Sequence, residues 1–420
     1  MKKKLIQLAV VATLACGLTA CGGKENTHQN SSIDIDVNDS TDVEIVTTEE
    51  NKPADGALLD DPEVEQKIDE INLYIDLYYY NEIDREKQEE ALYDGIMQGL
   101  DDPYAGYYTP EEFSELQEDS SGEYVGVGAL LTQGTDKLVT VVRPLKGSPA
   151  EEAGLLAEDV IVEVDDKSVE GVELELVVKW IRGEENTTAH LYVYRPSTQE
   201  YLDFYITRRV VENYTVSSEM LDDQIAYIKV DQFNENTDEE FDEQLEALRK
   251  QSAKGVIIDL RDNPGGLVSS VVNMCNSIMS EGVIVSTKDR NGKQTSCYKA
   301  DNEKSCDLPI VVLVNGNSAS ASEIFSGAMQ DTGNATIVGV QTYGKGIVQS
   351  VIPLSDGSAI KLTVAKYFTP NENDIHTVGI TPDFIVELPD GRENAVNIDR
   401  AEDTQLDKAI EILMEKMARR

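Results

Sequence analysis

The chain has 420 residues and a formal net charge of −43, with 36 Lys and Arg residues against 79 Asp and Glu residues. A nucleic-acid-binding protein needs a basic face to replace counterions, and charge-driven binding to anionic lipid needs one too, so this balance argues against both classes. Apolar residues make up 40% of the chain, as in a globular protein, and the length suggests two or three domains.

Residues 1–20 have the layout of a bacterial lipoprotein signal peptide. Three lysines at residues 2–4 precede an apolar run at residues 5–14, which is too short to span a bilayer in a mature protein. The run leads to the sequence LTAC, which resembles a lipobox and implies cleavage before Cys21 and lipid attachment to its sulfur. An ordinary signal peptide followed by an incidental cysteine is the alternative. The lipobox implies an extracytoplasmic protein that its lipid holds at the cell membrane.

Two segments of different character follow the signal peptide. Residues 21–61 are polar, acidic and aperiodic, so we predict a disordered tether that charge repulsion extends. Residues 62–117 carry apolar side chains at helical spacing, as in Ile68, Ile71 and Ile75, which predicts a helical segment. This helical segment is also the candidate contact for a homodimer.

Residues 118–209 change to short strands and turns, beginning with YVGVGA at residues 124–129. Gly126 and Gly128 let neighbouring backbone N–H groups point into one concavity that can hold a carboxylate. With GSPAEEAGL and DVIVEV further on, the segment resembles a PDZ domain, a module that binds C-terminal peptides. A tight turn without a ligand is the alternative. The residues implied in peptide binding are Gly126, Val127, Gly128 and Ala129, with Arg182 either pairing with the peptide terminus or lying at a solvated helix end.

Residues 210–420 alternate mostly apolar strands with helices, which predicts an α/β sheet buried on both faces. Cys297 and Cys306 flank a polar turn there and could form a disulfide, although two separate thiols suit the sequence equally well. Cys275 lies in an apolar pattern that predicts a buried thiol. None of the cysteines has metal-site spacing, and the sequence predicts no metal and no cofactor.

A serine-rich turn follows the apolar strand PIVVLV and opens a helix. A hydroxyl in this position is exposed at the carboxyl edge of a sheet and at the positive end of a helix dipole, as a nucleophile requires. The residues alone leave Ser318, Ser320 and Ser322 as candidates. Glu323 and Asp331 on the same helix either orient the site or form ion pairs on a solvated face.

A serine nucleophile needs a base, and the three histidines, His28, His190 and His376, lie away from this motif in the sequence. A lysine can act instead when burial lowers its pKa. Lys345 is the candidate, because it lies between two glycines after an apolar strand. Gln349 could orient its amine. The glycine turn in DLRDNPGGL and the N–H of the residue after the nucleophile could hold the oxyanion.

Three motifs, DLRDNPGGLV, NSASASEIFSGAMQD and TYGKGIVQ, in this order behind a PDZ-like segment, resemble the carboxy-terminal processing peptidases of family S41. The resemblance covers residues 62–420, including LDDPYAGYYTPEEF. It implies a crotonase/ClpP-like α/β core, with a mixed sheet and flanking helices, that carries an inserted PDZ-like domain. By the same resemblance, the nucleophile is Ser320, the base is Lys345, 25 residues later, and its partner is Gln349. The implied oxyanion donors are Ala321 and Gly266, with Gly265 as the other candidate.

The implied function is a membrane-anchored serine endopeptidase that recognises the C-terminal tails of protein substrates through its PDZ domain. A non-catalytic PDZ-bearing adaptor is the alternative, and the complete Ser, Lys and Gln set speaks against it. Nucleotide binding rests only on residues 339–346, where Gly346 replaces the Ser or Thr of a phosphate-binding loop. The acidic composition should raise the pKa of Lys345, so local burial must outweigh it, and activity should rise at alkaline pH.

Overall fold

The computed structural model describes residues 60–134, 137–301, 305–389, 398 and 400–419. The predicted signal peptide, Cys21 and all of the predicted tether before residue 60 lie outside these residues. In the described ranges, no helix combines the length and the apolar composition that crossing a membrane requires.

The first described segment is mostly helical. Helix α1 begins after Asp61, whose side chain accepts a hydrogen bond from the Glu63 N–H, and helix α3 begins with Pro110 in its first turn and ends at Gly122 in the left-handed conformation. Helix α1 buries none of its side chains. The elements are α1 (Pro62–Tyr78), α2 (Arg85–Gln98), β1 (Gly106–Tyr108) and α3 (Pro110–Ser121).

The next segment is β-rich and has its own apolar core, in which Val141, Leu191 and Val193 are fully buried. Strands β2 and β9 pair antiparallel and bring the two ends of the segment together. The other strands form one sheet in the order β3-β4-β5-β7-β8, with β6 beside β5. The elements are β2 (Glu123–Gly126), β3 (Ala129–Gln133), β4 (Val139–Pro144), α4 (Pro149–Ala153), β5 (Val160–Val164), β6 (Lys167–Ser168), α5 (Leu174–Ile181), β7 (Thr188–Arg195), β8 (Glu200–Thr207) and β9 (Arg209–Glu212).

The remaining residues form an α/β core. Its six-stranded sheet has the order β10-β11-β12-β15-β16-β19, and only the β10–β11 pair is antiparallel. The elements are β10 (Val216–Leu221), β11 (Ile225–Val230), α6 (Thr237–Lys250), β12 (Gly255–Asp259), α7 (Val268–Asn276), β13 (Gly282–Lys288), β14 (Gln294–Ala300), β15 (Ile310–Val314), α8 (Ala321–Asp331), β16 (Ala335–Gly339), β17 (Ile347–Pro353), β18 (Ala359–Phe368), β19 (Phe384–Ile385) and α9 (Thr404–Ala418).

Both faces of the six-stranded sheet are covered, which explains why its central strands read as continuous apolar runs. Ile258 and Val312 face the core formed with α6, α7 and α8, whereas Ile257 and Val311 face α9. The predicted α/β core with flanking helices and an inserted β-rich domain is confirmed.

A second sheet has the order β1-β18-β13-β14, and the long hairpin strand β17 also pairs with β18. Through this sheet, strand β1 of the helical segment joins the α/β core, with Gly106 opposite Lys361. The pairing of this hairpin with β1 was not predicted from the sequence. Strand β17 begins directly after Gly346, where a phosphate-binding loop would need a helix.

Candidate active site

Three parallel neighbours, β12, β15 and β16, end at the same edge of the six-stranded sheet. The chain beyond each strand carries one of the three motifs found in the sequence. The edge therefore brings together the glycine turn after Asp259, the serine-rich turn after Val314 and the lysine loop after Gly339.

Ser320 is the N-cap of α8 and has a left-handed backbone, with φ 54° and ψ −112°. Non-glycine residues rarely take this conformation, and such strain is concentrated at functional sites. The backbone N–H of Ser320 donates to Glu323 Oε2 at 2.9 Å, which helps to hold the turn.

The structure separates the three candidate serines by what their hydroxyls do. Ser318 and Ser322 are fully buried, and their hydroxyls donate to the carbonyl oxygens of Leu260 (2.7 Å) and Asn263 (3.0 Å). Ser320 is half-buried, and its hydroxyl donates no hydrogen bond to any described residue. Of the three, Ser320 is therefore the one whose hydroxyl is available for chemistry.

Two backbone N–H groups near Ser320 have no acceptor within the described ranges, those of Gly266 and Ala321. The third candidate donor is occupied, because the Gly265 N–H donates to Asn263 Oδ1 at 2.8 Å. Both glycines have left-handed backbones, with φ 106° at Gly265 and 142° at Gly266. A Cβ atom at Gly265 would lie 2.8 Å from the Ser320 Cβ, so the turn approaches the serine closely.

Lys345 lies half-buried in the loop between β16 and β17. Burial lowers the pKa of its ammonium group, and the positive charge of Lys361 lowers it further. A lowered pKa makes a neutral amine available, which is what a general base requires. The local environment thus opposes the effect expected from the acidic composition.

Glu323 is fully buried and connects the serine turn to the lysine loop. Its Oε2 accepts from the backbone N–H groups of Ser320 and Lys345, and its Oε1 accepts from the Gly344 N–H (2.7 Å) and the Thr342 hydroxyl (2.6 Å). The sequence left open whether this residue orients the site or forms an ion pair on a solvated face. The burial and these four bonds favour the orienting role.

The side chains of the expected dyad are not joined by a hydrogen bond. No bond between Ser320 Oγ and Lys345 Nζ is present in the part of the chain that the structure describes. Instead, Lys345 Nζ lies over the ring of Tyr104, 5.1 Å from its centroid. Gln349, predicted to orient the amine, donates from Nε2 to the carbonyl oxygen of Tyr104 at 2.7 Å.

Sequence reasoning missed two residues beside this site. Tyr104 belongs to the LDDPYAGYY sequence, which was recognised as a motif but given no role. His376 lies away from the motifs in the sequence, yet a Cβ at Gly346 would overlap the His376 backbone nitrogen. No local pattern marks His376, because its position depends on how residues 374–379 fold back on the lysine loop.

The glycine-rich turn at residues 126–129 of the β-rich domain packs closely against Ser148. Gly128 has φ 78°, and a Cβ there would overlap the Ser148 Cβ. The N–H groups of Val127 and Gly128 donate to no acceptor among the described residues, and Ala129 opens β3 directly after them.

Arg182, the other candidate peptide-binding residue, contacts groups of the protein itself. Its guanidinium lies over the ring of Tyr124, 4.8 Å from the centroid, and 3.4 Å from a carboxylate oxygen of Glu118. A role in binding a peptide terminus stays a prediction.

The two cysteines that could form a disulfide lie on β14, an end strand of the second sheet, and in the chain between β14 and β15. Cys297 is on β14 and carries a free thiol, so the bond to Cys306 is not formed in this structure. Cys275 is fully buried, as its apolar pattern predicts, and burial raises the pKa of its thiol.

The chain was compared with family models and with known proteins. The model of peptidase family S41 matches residues 224–386, and a PDZ domain model matches residues 140–195. The carboxyl-terminal-processing protease of Synechocystis is 39% identical over 310 residues, which cover 73% of this chain and 72% of that protein. The chain belongs to peptidase family S41.

Further similarities are found to a curated relative and to solved structures. The carboxy-terminal processing protease CtpA of Bacillus subtilis is 38% identical over 313 residues, covering 74% of this chain and 66% of that protein. Among solved structures, a putative S41 protease from Bacteroides fragilis shares the fold with a TM-score of 0.52 and 14% identity, covering 80% of this chain and 93% of that one. The photosystem II D1 C-terminal processing protease is 32% identical with a TM-score of 0.46, and the match covers 76% of this chain and 86% of that one.

The family membership makes this chain a serine peptidase of the carboxyl-terminal processing type with a PDZ domain. The S41 match spans the serine turn, the lysine loop and the glycine turn. The PDZ match includes Arg182 but begins after the glycine-rich turn at residues 126–129.

Proposed function

We propose that this S41 peptidase cleaves peptide bonds with a Ser320–Lys345 dyad. The observation that carries the proposal is the surroundings of Ser320. The Ser320 hydroxyl, alone among those of the three candidate serines, does not donate to a main-chain carbonyl. Ala321 follows Ser320 in the chain, and the glycine turn that contains Gly266 approaches Ser320 closely. The described residues provide no acceptor for the N–H group of either Ala321 or Gly266. A reacting carbonyl placed there would meet both a nucleophile and two oxyanion donors.

The chemical steps follow from these groups. Ser320 Oγ attacks the carbonyl carbon while the neutral amine of Lys345 takes the hydroxyl proton, and the oxyanion forms against the N–H groups of Ala321 and Gly266. Collapse of the tetrahedral intermediate breaks the C–N bond, and Lys345 returns the proton to the leaving amine. A water molecule, deprotonated by Lys345, then attacks the acyl-enzyme; the bond between the acyl carbon and Ser320 Oγ breaks, and Lys345 returns the proton to Ser320 Oγ. Once the Gln349 side chain leaves the carbonyl oxygen of Tyr104, it would orient the Lys345 amine.

Substrate selection by the tail is the second part of the proposal. The N–H groups of Val127 and Gly128 would hold the terminal carboxylate, and β3, which begins at Ala129, would pair with the last residues of the substrate. Arg182 would contribute positive charge to the same carboxylate if it left Glu118.

Ser320→Ala tests the dyad and tail capture together. We expect no cleavage of an unstructured protein tail by mass spectrometry, but unchanged binding of a peptide with a free C-terminus and weaker binding of its C-terminal amide. Ser326→Ala is the matched control, because among the described residues that hydroxyl bonds only within its own helix, to the Ser322 carbonyl at 2.7 Å. Full proteolysis by Ser320→Ala would overturn the dyad, and equal binding of acid and amide would overturn tail capture.

Location and anchoring complete the proposal: the mature protein is held outside the cytoplasm at the cell membrane by a lipid on Cys21. The support is the order of basic residues, apolar run and LTAC sequence at the start of the chain. We expect cells fed an alkyne fatty acid to label the wild type and not Cys21→Ser, with the wild type sedimenting with membranes. Labelling of Cys21→Ser to the wild-type level would contradict the proposed attachment site.

The last part of the proposal is that the protein forms a homodimer through the helical segment. The support is the exposed apolar surface of α1, which includes Ile71, Leu73 and Leu77. Light scattering on the mature chain should give twice the monomer mass for the wild type and the monomer mass for a Leu73→Glu, Leu77→Glu variant. A monomeric wild type would rule this contact out.

A further inference from the structure

Tyr104 contacts both side chains that should assist the nucleophile. Its ring centroid lies 5.1 Å from Lys345 Nζ, and its carbonyl oxygen accepts from Gln349 Nε2 at 2.7 Å. The residue lies in the turn between α2 and β1, where its own N–H donates to Asp102 Oδ1 at 2.9 Å. Because β1 pairs with β18, the backbone fixes this turn at the second sheet, whose strand β17 carries Gln349.

The ring contact favours one protonation state of the lysine. An aromatic face attracts an ammonium ion but not a neutral amine. Within the described ranges, Lys345 Nζ makes no hydrogen bond or ion pair, so the ring of Tyr104 is the contact that receives its charge. The base role requires the opposite, a neutral amine within hydrogen-bonding distance of Ser320 Oγ.

We propose that Tyr104 is a positioning residue whose ring holds the Lys345 ammonium away from Ser320 in the resting enzyme, while its carbonyl holds Gln349. Both side chains leave Tyr104 when the dyad assembles on a substrate. This inference rests on the proposed Ser320–Lys345 dyad and adds a residue from the helical segment to its control.

The groups around Lys345 decide which way its protonation shifts when the ring is removed. Burial and the charge of Lys361 lower the pKa of Lys345, whereas the ring favours the ammonium form. Loss of the ring should therefore lower the pKa of Lys345 further. The titratable and charged groups near Lys345 or near its neighbour Tyr104 are Asp102 in the turn, Glu323 on α8, Tyr343 in the lysine loop, Lys361 on β18 and His376 in the segment after β18.

The test compares pH profiles of kcat/KM and of kcat for cleavage of a tail peptide by the full mature chain. A cation–π contact at a partly exposed site corresponds to about half a pH unit. For Tyr104→Leu we expect the acidic limb to move to lower pH by about that amount, with kcat at neutral pH rising about two- to five-fold and KM unchanged. Tyr104→Phe keeps the ring and should overlie the wild type. Tyr104→Met serves the same purpose if the leucine variant does not fold.

Tyr107→Leu is the matched control, because Tyr107 lies on β1 and packs against Tyr93, with ring centroids 5.1 Å apart, rather than against a lysine. A merely structural role of the turn would move its profile as well. The proposal is overturned if the Tyr104→Leu profile superimposes on the wild type, or if Tyr104→Phe or Tyr107→Leu shifts equally. Lys345→Ala tests the dyad separately. If Lys345→Ala cleaves the peptide, the dyad is refuted. If Lys345→Ala is inactive but the pH profile of Tyr104→Leu matches that of the wild type, only the role of Tyr104 is refuted.

Discussion

The backbone N–H groups of Ser320 and Lys345 converge on one atom, Glu323 Oε2, at 2.9 and 2.8 Å. This shared acceptor fixes the distance between the main chains of the two proposed catalytic residues, even though their side chains are not bonded to each other. Because the carboxylate is fully buried, its hydrogen bonds do not compete with water. The serine turn and the lysine loop are therefore held together at their backbones.

Glu323→Gln should disrupt this unit. An amide places an NH₂ group where one carboxylate oxygen now accepts from two donors, so at least two donors lose their partner at a buried site. Each such loss costs about 1–3 kcal/mol. We expect a lower Tm and a fall in kcat of about a hundredfold, measured by calorimetry and peptide cleavage. Glu281→Gln, at an exposed carboxylate, is the control. Wild-type kcat in Glu323→Gln would contradict the role.

Gly266→Ala should lower the free energy of unfolding by more than the unfavourable backbone conformation alone explains. A Cβ there would overlap the carbonyl oxygen of Phe233, and the φ of 142° is unfavourable for alanine. Gly292→Ala is the matched control, because Gly292 also has a left-handed backbone, with φ 77°, but a Cβ there would meet open space. We expect Gly292→Ala to cost about 1–2 kcal/mol of unfolding free energy, and Gly266→Ala to cost more and to abolish cleavage. Equal losses in denaturant unfolding and retained activity would contradict this account.

The sequence motifs were sufficient to predict which loops meet, because the carboxyl ends of parallel neighbouring strands lie at one sheet edge. They also indicated Ser320, although only the structure shows that the hydroxyls of Ser318 and Ser322 are used in holding the turn. The contact of Tyr104 with Lys345 was not predictable, because it depends on β1 joining a sheet whose other strands lie more than 170 residues later in the chain. Long-range pairing of this kind leaves no periodicity in the sequence.

The pH dependence of cleavage should respond to Lys361. Its positive charge lowers the pKa of Lys345, after burial, so removing the charge should raise that pKa. Since the base must be neutral, activity is lost as pH falls through the Lys345 pKa, and the acidic limb of kcat/KM should move to higher pH in Lys361→Gln. Lys366→Gln on the same strand is the control, because Lys366 pairs with Asp374 at 2.9 Å. A limb that stays in place or moves to lower pH in Lys361→Gln would refute the assignment of Lys345 as the base.

Arg261 should determine whether α9 stays attached beneath the glycine turn. Its guanidinium is buried, bonds both oxygens of Asp259 from within the turn, and reaches both oxygens of Asp403, the N-cap of α9, at 2.9 Å. Lysine keeps the positive charge but cannot form two such forks, so part of this buried hydrogen bonding is lost. We expect Arg261→Lys to lower the free energy of unfolding and to speed amide hydrogen exchange in α9. Arg249→Lys, at an exposed pair with Asp307, should change exchange in α9 little. Unchanged exchange in α9 of Arg261→Lys would show that apolar packing alone holds the helix.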